Sequence, residues 1–376
     1  MFANRISVVI PTYERHHSLL RVLGYWSSQQ VDVVVVDGSA DPFPSINVCN
    51  FNSNIRYFHL PLPLEERLDF ALKHINTDFV SLISDDEILL CSALNKAADF
   101  LCNDLSYSAV LGTTVAFRHS RKGLSFSGEY LSASNLRINS DDPAYRLIQR
   151  ARVKGNSIFY SLTRAEVMKT ALEFIGSHIY SCPYIGEYQM EAILLGAGKV
   201  KVIEDLMWLR NRDGGCVNLP SFDRSVLFSD WMIDPKNADQ LSILKNSFEV
   251  YFGKISPSKH VSGEFFVNLF SDFERDSASR QPPKNLLIRL IRYVARHFSE
   301  FVLDLMCLGG TSNISKWFPS DMIYQVLLKE GIAFDTVDAK KAIESLPIPS
   351  VEQLHSVSLR SRLAIRISRI WRNHMA

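Results

Sequence analysis

The chain opens on short β-branched runs that are apolar at nearly every position and end on a turn-former. Ile6 to Ile10 stops at Pro11, and Val31 to Val36, broken only by Asp32, stops at Asp37-Gly38. A strand with one wet face alternates apolar and polar residues. Runs without that alternation suit strands buried on both faces, as in a parallel sheet covered by helices. The intervening sequence supplies the helices. His17 to Ser27 sets Leu20, Leu23 and Trp26 near one face, and Leu64, Leu68, Ala71, Leu72 and Ile75 keep the spacing of an amphipathic helix. Asn54 to Leu60 reads as a weaker strand closed by Pro61 and Pro63. Phe79 to Ile83 is the next strand, running into Ser84-Asp85-Asp86-Glu87, and Ala109 to Phe117 is another.

A βαβαβ order implies an open α/β sheet with right-handed crossovers. Such sheets bind ligands beyond the carboxyl ends of their strands. The polar residues of interest stand there: Thr12 and Tyr13 after the first strand, Asp37 after the second, Asp85 and Asp86 after the fourth.

The 376 residues suffice for two domains. Leu136 to Ile203 is mixed in pattern. Beyond Pro235 the spacing is mainly helical, at Leu241 to Phe252, Phe265 to Phe273, Leu286 to Leu305 and Ile323 to Lys329, so the expected division is 1–235 and 236–376. Lys and Arg number 41 against 40 Asp and Glu, which argues against a nucleic-acid binder, since those carry a basic excess. The six cysteines show neither a CxxC pair nor zinc-like spacing, as expected of reduced thiols. The first residues lack a signal-peptide pattern, and no window reaches about 18 apolar residues. The expectation is a cytoplasmic chain, at most bound to a membrane surface.

Adjacent carboxylates at a strand end repel and lose hydration, so Asp85-Asp86 invites a cation. A hard divalent ion on one or two carboxylates takes its other ligands from water and substrate phosphates. The alternative is a solvated acidic turn capping the next helix. His16 and His17 are expected at an exposed helix start, and Asp141-Asp142-Pro143 reads as a capped turn. The chain has no glycine before Gly24 and no GxGxxG after a strand, which argues against triphosphate nucleotidyl transfer and dinucleotide-dependent redox chemistry.

Taken in order, Ile6 to Arg15 (ISVVIPTYER), Val34 to Ser39 (VVVDGS) and Ser84-Asp85-Asp86 resemble the GT-A domain of family-2-type glycosyltransferases of the bacterial surface-polysaccharide type. The likeness covers about the first 120 residues well and the next hundred loosely. It implies a GT-A-like, Rossmann-type, mostly parallel α/β sheet with flanking helices, followed by a mainly helical C-terminal region. It also implies a nucleotide-sugar donor, UDP-sugar favoured, with Mg²⁺ or Mn²⁺ on the diphosphate and a hydroxyl of a glycan or lipid-linked acceptor. By that resemblance Pro11, Thr12, Tyr13 and Glu14 frame the nucleoside, Asp37 accepts a hydrogen bond from the base, and Arg67 lies near the nucleotide. Asp85 holds the ribose or donor sugar and Asp86 ligates the metal, the DxD pattern being altered by Ser84. Arg67 has a second reading, a surface helix residue paired with Glu65, Glu66 or Asp69.

An inverting transferase also needs a base for the acceptor hydroxyl. The resemblance points to Tyr184 to Glu191, where Glu187 is the expected base and Glu191, one turn on, the alternative; neither is followed by the family's Asp. By the same resemblance Arg210 or Arg212, in a glycine-bearing loop, stands near the diphosphate; a plain surface turn is the other reading. Because the Glu-Asp dipeptide is broken, a nucleotide-sugar-binding scaffold that lost the chemistry is the other reading. At the end of the chain Arg360, Arg362, Arg366, Arg369 and Arg372 interleave with apolar residues. The segment 359–372 suits either contact with an anionic membrane face or a terminal helix packed on the domain.

Overall fold

In the computed structural model the described residues are 5–43, 52–120, 123–129, 136–151, 158–176, 180–181, 183–213, 228–255, 262–270, 318–319, 323–329 and 332–346. The segments 286–305 and 359–372 lie outside them. Among the six cysteines, Cys91 and Cys102 are described, and both are free thiols.

The apolar runs are strands. β1 (Ile6–Thr12), β2 (Asp32–Asp37), β3 (Ile55–His59) and β4 (Phe79–Leu82) are joined by α1 (His16–Trp26) and α2 (Leu64–Lys73). They lie side by side in the order β3-β2-β1-β4, all parallel. Alternate side chains leave opposite faces of a strand. Val33 and Val35 therefore enter one apolar cluster and Val34 and Val36 the other. All four are fully buried, at roughly 1.5–3 kcal/mol each.

Beyond β4 the sheet becomes mixed. β5 (Ile88–Leu89), α3 (Cys91–Asn103), β6 (Tyr107–Ser120), β7 (Gly123–Glu129), α4 (Pro143–Ala151), β8 (Leu162–Arg164), α5 (Ala165–Gly176), α6 (Pro183–Ala197) and β9 (Lys199–Asn211) follow. β8 runs antiparallel to both β4 and β6, and β7 antiparallel to β6. β9 is parallel to β6 and antiparallel to the short β5. Parallel pairing thus joins the four strands of the local crossovers and recurs beyond them only between β6 and β9, among the described residues.

α7 (Phe228–Ile233) leads past residue 235 into α8 (Ala238–Ile255) and α9 (263–270), and β10 (Phe318–Pro319) precedes α10 (Ile323–Lys329) and α11 (Thr336–Glu344). The described residues of this region are mainly helical, but they build no separate core. Phe248, Phe252 and Phe266 join the cluster beneath α2, α5 and α6. Ile323, Leu327, Ala339 and Ala342 join the one beneath α1 and α3. β10 pairs with β7 in the main sheet, so the described residues on the two sides of 235 pack together. Asp338 fastens α11: Tyr25 Oη donates to its Oδ1 at 2.8 Å and the Ser92 N–H to its Oδ2 at 2.7 Å. Among the described residues no helix is long and apolar enough to cross a membrane.

Candidate active site

Register carries the strand ends to one edge: Thr12 stands opposite Asp37, and Asp37 opposite His59. The strands there are braced by Arg67. It is buried; its Nε donates to Leu62 O at 3.0 Å, and Nη1 to Thr12 O at 2.7 Å and Val36 O at 3.0 Å. It is no surface helix residue paired with Glu65, Glu66 or Asp69, because its guanidinium serves main-chain carbonyls of both central strands. Gly38 makes the approach feasible, since a Cβ there would stand 2.6 Å from the guanidinium carbon.

Asp37 is fully buried and its oxygens are engaged. Oδ1 accepts from the Ser39 N–H (2.9 Å) and hydroxyl (2.5 Å), and Oδ2 from the Tyr57 hydroxyl at 2.5 Å and shares a hydrogen bond with His16 Nε2 at 2.7 Å. Burial alone would raise its pKa, but the bonds from Ser39, Tyr57 and His16 outweigh burial and hold it below the ordinary value. A base N–H reaching Asp37 would have to displace Tyr57 or His16. His16 is therefore not an idle residue at an exposed helix start: it is partly buried against Asp37 and stacks on Phe43 at 5.1 Å.

Glu14, exposed, is tied to the loop after β2. It adopts φ 53°, a left-handed conformation that costs a non-glycine residue about 1–3 kcal/mol. Its N–H donates to Ser39 Oγ at 2.8 Å and its carboxylate accepts the Ala40 N–H at 2.8 Å. Pro11 is half-buried and Tyr13 exposed.

The acidic turn lies alongside. Asp85 and Asp86 are buried, not a solvated turn. Thr12 Oγ1 donates to Asp85 Oδ2 at 2.6 Å, and Arg15 Nη1 meets Asp85 Oδ1 at 3.2 Å. Arg15 Nη2 pairs with Asp86 Oδ2, which also accepts from Asn211 Nδ2 at 3.1 Å. Glu87 completes the turn: it accepts from Trp208 Nε1 at 3.0 Å and faces Arg210 Nε at 3.9 Å, while the Arg210 guanidinium lies 5.1 Å over the Trp208 ring. Burial pushes Asp85 up to about 6. Burial and then the Asp86 charge push Glu87 up to about 8. The Arg212 N–H closes onto Phe117 O at 2.8 Å with its side chain exposed.

Glu187 and Glu191, one turn apart on α6, are separated by environment. Glu187 is exposed, yet near enough to Tyr160 to raise its pKa, after burial and Glu87. Tyr160 in turn packs 4.5 Å from Trp208 and also feels the charges of Glu87 and Asp86. Glu191 is buried, paired with Arg150 at 3.0 Å and accepting the Ile158 N–H at 2.8 Å. Asp142 caps α4 through the Ala144 N–H at 3.0 Å, as the turn pattern implied.

Among the described residues no three His, Cys, Asp or Glu gather as a metal cluster. The acidic pair nevertheless offers hard oxygen donors in a place already filled by a protein cation, Arg15, so its chemistry suits a divalent ion on one or two carboxylates.

Residues 7–169 match the family model described as Glycosyl transferase family 2; that stretch is a glycosyltransferase family 2 domain of GT-A type, and the chain is an enzyme of the glycosyltransferase class. Similar solved structures include S. aureus TarS 1-349, 14% identical with TM-score 0.47 over 74% of this chain and 72% of that one. TarS 1-349 in complex with UDP is 13% identical with TM-score 0.45, over 91% and 89%. The mannosyltransferase PcManGT from Pyrobaculum calidifontis, in complex with GDP-Man and Mn²⁺, is 12% identical with TM-score 0.37, over 78% and 81%. No curated protein matches the chain.

Proposed function

We propose that this enzyme moves a sugar from a nucleoside-diphosphate donor, UDP-sugar favoured by the sequence resemblance, to a hydroxyl of a glycan or lipid-linked acceptor with inversion. The observation that carries the reading is the meeting of Thr12, Arg15, Asp85, Asp86 and Asn211 at the carboxyl edge, where open α/β sheets bind their ligands.

Glu187 is the base. It is exposed on α6 and within electrostatic reach of Tyr160, and in this reading its carboxylate takes the proton of the acceptor hydroxyl. The freed oxygen attacks the anomeric carbon opposite the diphosphate, and the bond to the departing phosphate oxygen breaks with its electron pair. Mg²⁺ or Mn²⁺ held by Asp86 and Asp85, when bound, supplies charge neutralisation for that leaving group. Arg210, fixed over Trp208, and Arg212 add positive charge on the same side. Pro11 and Tyr13 line the nucleoside's approach, while Glu14, Asp37 and Arg67 hold the loops that form it. Peripheral membrane contact through 359–372 fits a lipid-linked acceptor and rests on the sequence pattern.

Thermal unfolding with UDP, GDP, dTDP and CMP, each with and without Mn²⁺, tests the donor site, because binding to the native state raises the midpoint. A shift with one nucleotide, lost in Asp86→Ala, is expected. Glu187→Gln should keep that shift and lose transfer by about 10²–10⁴-fold. No shift with any nucleotide refutes the donor site. Binding without transfer or donor hydrolysis in the wild type favours the scaffold reading.

A further inference from the structure

The acidic pair carries a protein cation of its own. Arg15 spans both carboxylates, Nη1 on Asp85 and Nη2 on Asp86, while its side chain remains 19% exposed. Its position is not set by a relaxed loop. The preceding residue, Glu14, is held left-handed by Ser39 and Ala40, and the Arg15 carbonyl accepts the first N–H groups of α1, from Ser18 at 2.9 Å and Leu19 at 3.1 Å. The backbone on both sides is thus pinned, and the freedom left to Arg15 lies in its side chain. A guanidinium and a divalent ion at contact distance on one carboxylate pair repel each other, so they compete for it. A guanidinium does, however, match a phosphate as well as a carboxylate, through the same planar fork.

We propose that Arg15 is an exchangeable counter-ion: it holds Asp85 and Asp86 in the donor-free enzyme and moves to the donor's diphosphate on binding, vacating the carboxylates for the metal. Metal and Arg15 are alternative occupants of one place, which makes metal binding depend on the nucleotide. This rests on the reading of Asp85 and Asp86 as the cation site. Nothing covalent changes. Two ion pairs break, and the guanidinium and the carboxylates each regain a partner of opposite charge from the incoming nucleotide–metal pair.

The test is Mn²⁺ titration of the full chain, followed by the electron paramagnetic resonance of free Mn²⁺, with and without UDP. Wild type should bind Mn²⁺ weakly alone and more tightly with UDP. Arg15→Gln should bind Mn²⁺ without nucleotide at least about tenfold more tightly than wild type, since a unit charge at contact distance is removed. That gain should vanish in Arg15→Gln/Asp86→Asn. Arg15→Lys keeps a cation that engages one carboxylate at a time, and should fall between; it carries the test if the glutamine variant does not fold. Equal Mn²⁺ affinity in wild type and both variants, with UDP still recruiting metal, overturns the exchange and leaves the cation site standing. No Mn²⁺ binding in any form, with or without UDP, overturns the cation site itself and the exchange with it.

Discussion

Adding one methyl group to Gly38 tests how the strand ends are held. The Cβ of Gly38→Ala would stand 2.6 Å from both Cζ and Nε of Arg67 and 3.0 Å from Nη1. The end of an arginine side chain ordinarily moves aside. Here it is 5% exposed and bonded to three carbonyls, those of Leu62, Thr12 and Val36. Moving it breaks one or two charge-assisted hydrogen bonds at about 1.5–3 kcal/mol each, so with partial relaxation the expected cost is about 2–4 kcal/mol. An unfolding entropy of about 2.1 cal/mol/K per residue gives about 0.8 kcal/mol/K for the chain, and a Tm lower by about 3–5 °C. Calorimetry on wild type, Gly38→Ala, Arg67→Met and the double variant completes a cycle. If the contact is the cause, Gly38→Ala should cost less than about 1 kcal/mol once Arg67 is Met. Additive losses would refute the brace and leave the glycine's role elsewhere.

Glu191→Ala leaves Arg150 without its buried carboxylate and the Ile158 N–H unpaired; unfolding should be easier by about 3–5 kcal/mol, read by calorimetry. An unchanged Tm would contradict the part Glu191 plays in holding α4 and α6 together. Stability should also depend on pH with a definite sign. Free carboxyls lose protons near pH 4, but the folded protein keeps those of Asp85 to about 6 and Glu87 to about 8. Between those limits the native state binds more protons, so stability falls as pH rises. Glu87→Gln should flatten the fall between pH 6 and 8 and unfold at a higher temperature than wild type above pH 8; parallel curves would count against the assignment.

The parallel half of this sheet was legible because burial on both faces leaves a mark in each strand taken alone: Val33 to Val36 is apolar whichever way a residue points. Strand-end carboxylates were legible for the same local reason. What failed were partnerships between distant segments. Arg15 and His16 follow β1 as any polar residues might, and nothing nearby tells that one turns to Asp86 and the other to Asp37. Tyr57 lies inside a weak strand, and Asn211 and Trp208 arrive on β9, whose pairing with β5 and β6 has no short-range signature. Helical spacing past residue 235 was readable, but where those helices dock was not. The Tyr25–Asp338 bond joins residues 313 apart.

The position of the acidic turn follows from that same seam. β4 has a parallel neighbour on one side and the antiparallel β8 on the other, so the chain leaving it cannot continue the crossover pattern and instead turns through 84–87 to pair β5 with β9. The turn is thereby enclosed from two sides, by Thr12 and Arg15 from the parallel half and by Trp208, Arg210 and Asn211 from β9. Enclosure strips water from three consecutive carboxyl groups, and three buried negative charges without compensation would be prohibitive. The structure divides the load: Glu87 keeps its proton into the neutral range, while Asp85 and Asp86 take Arg15. A site that must supply its own cation when empty can give it up only to a ligand bringing both signs of charge, and a nucleoside diphosphate with its metal does so.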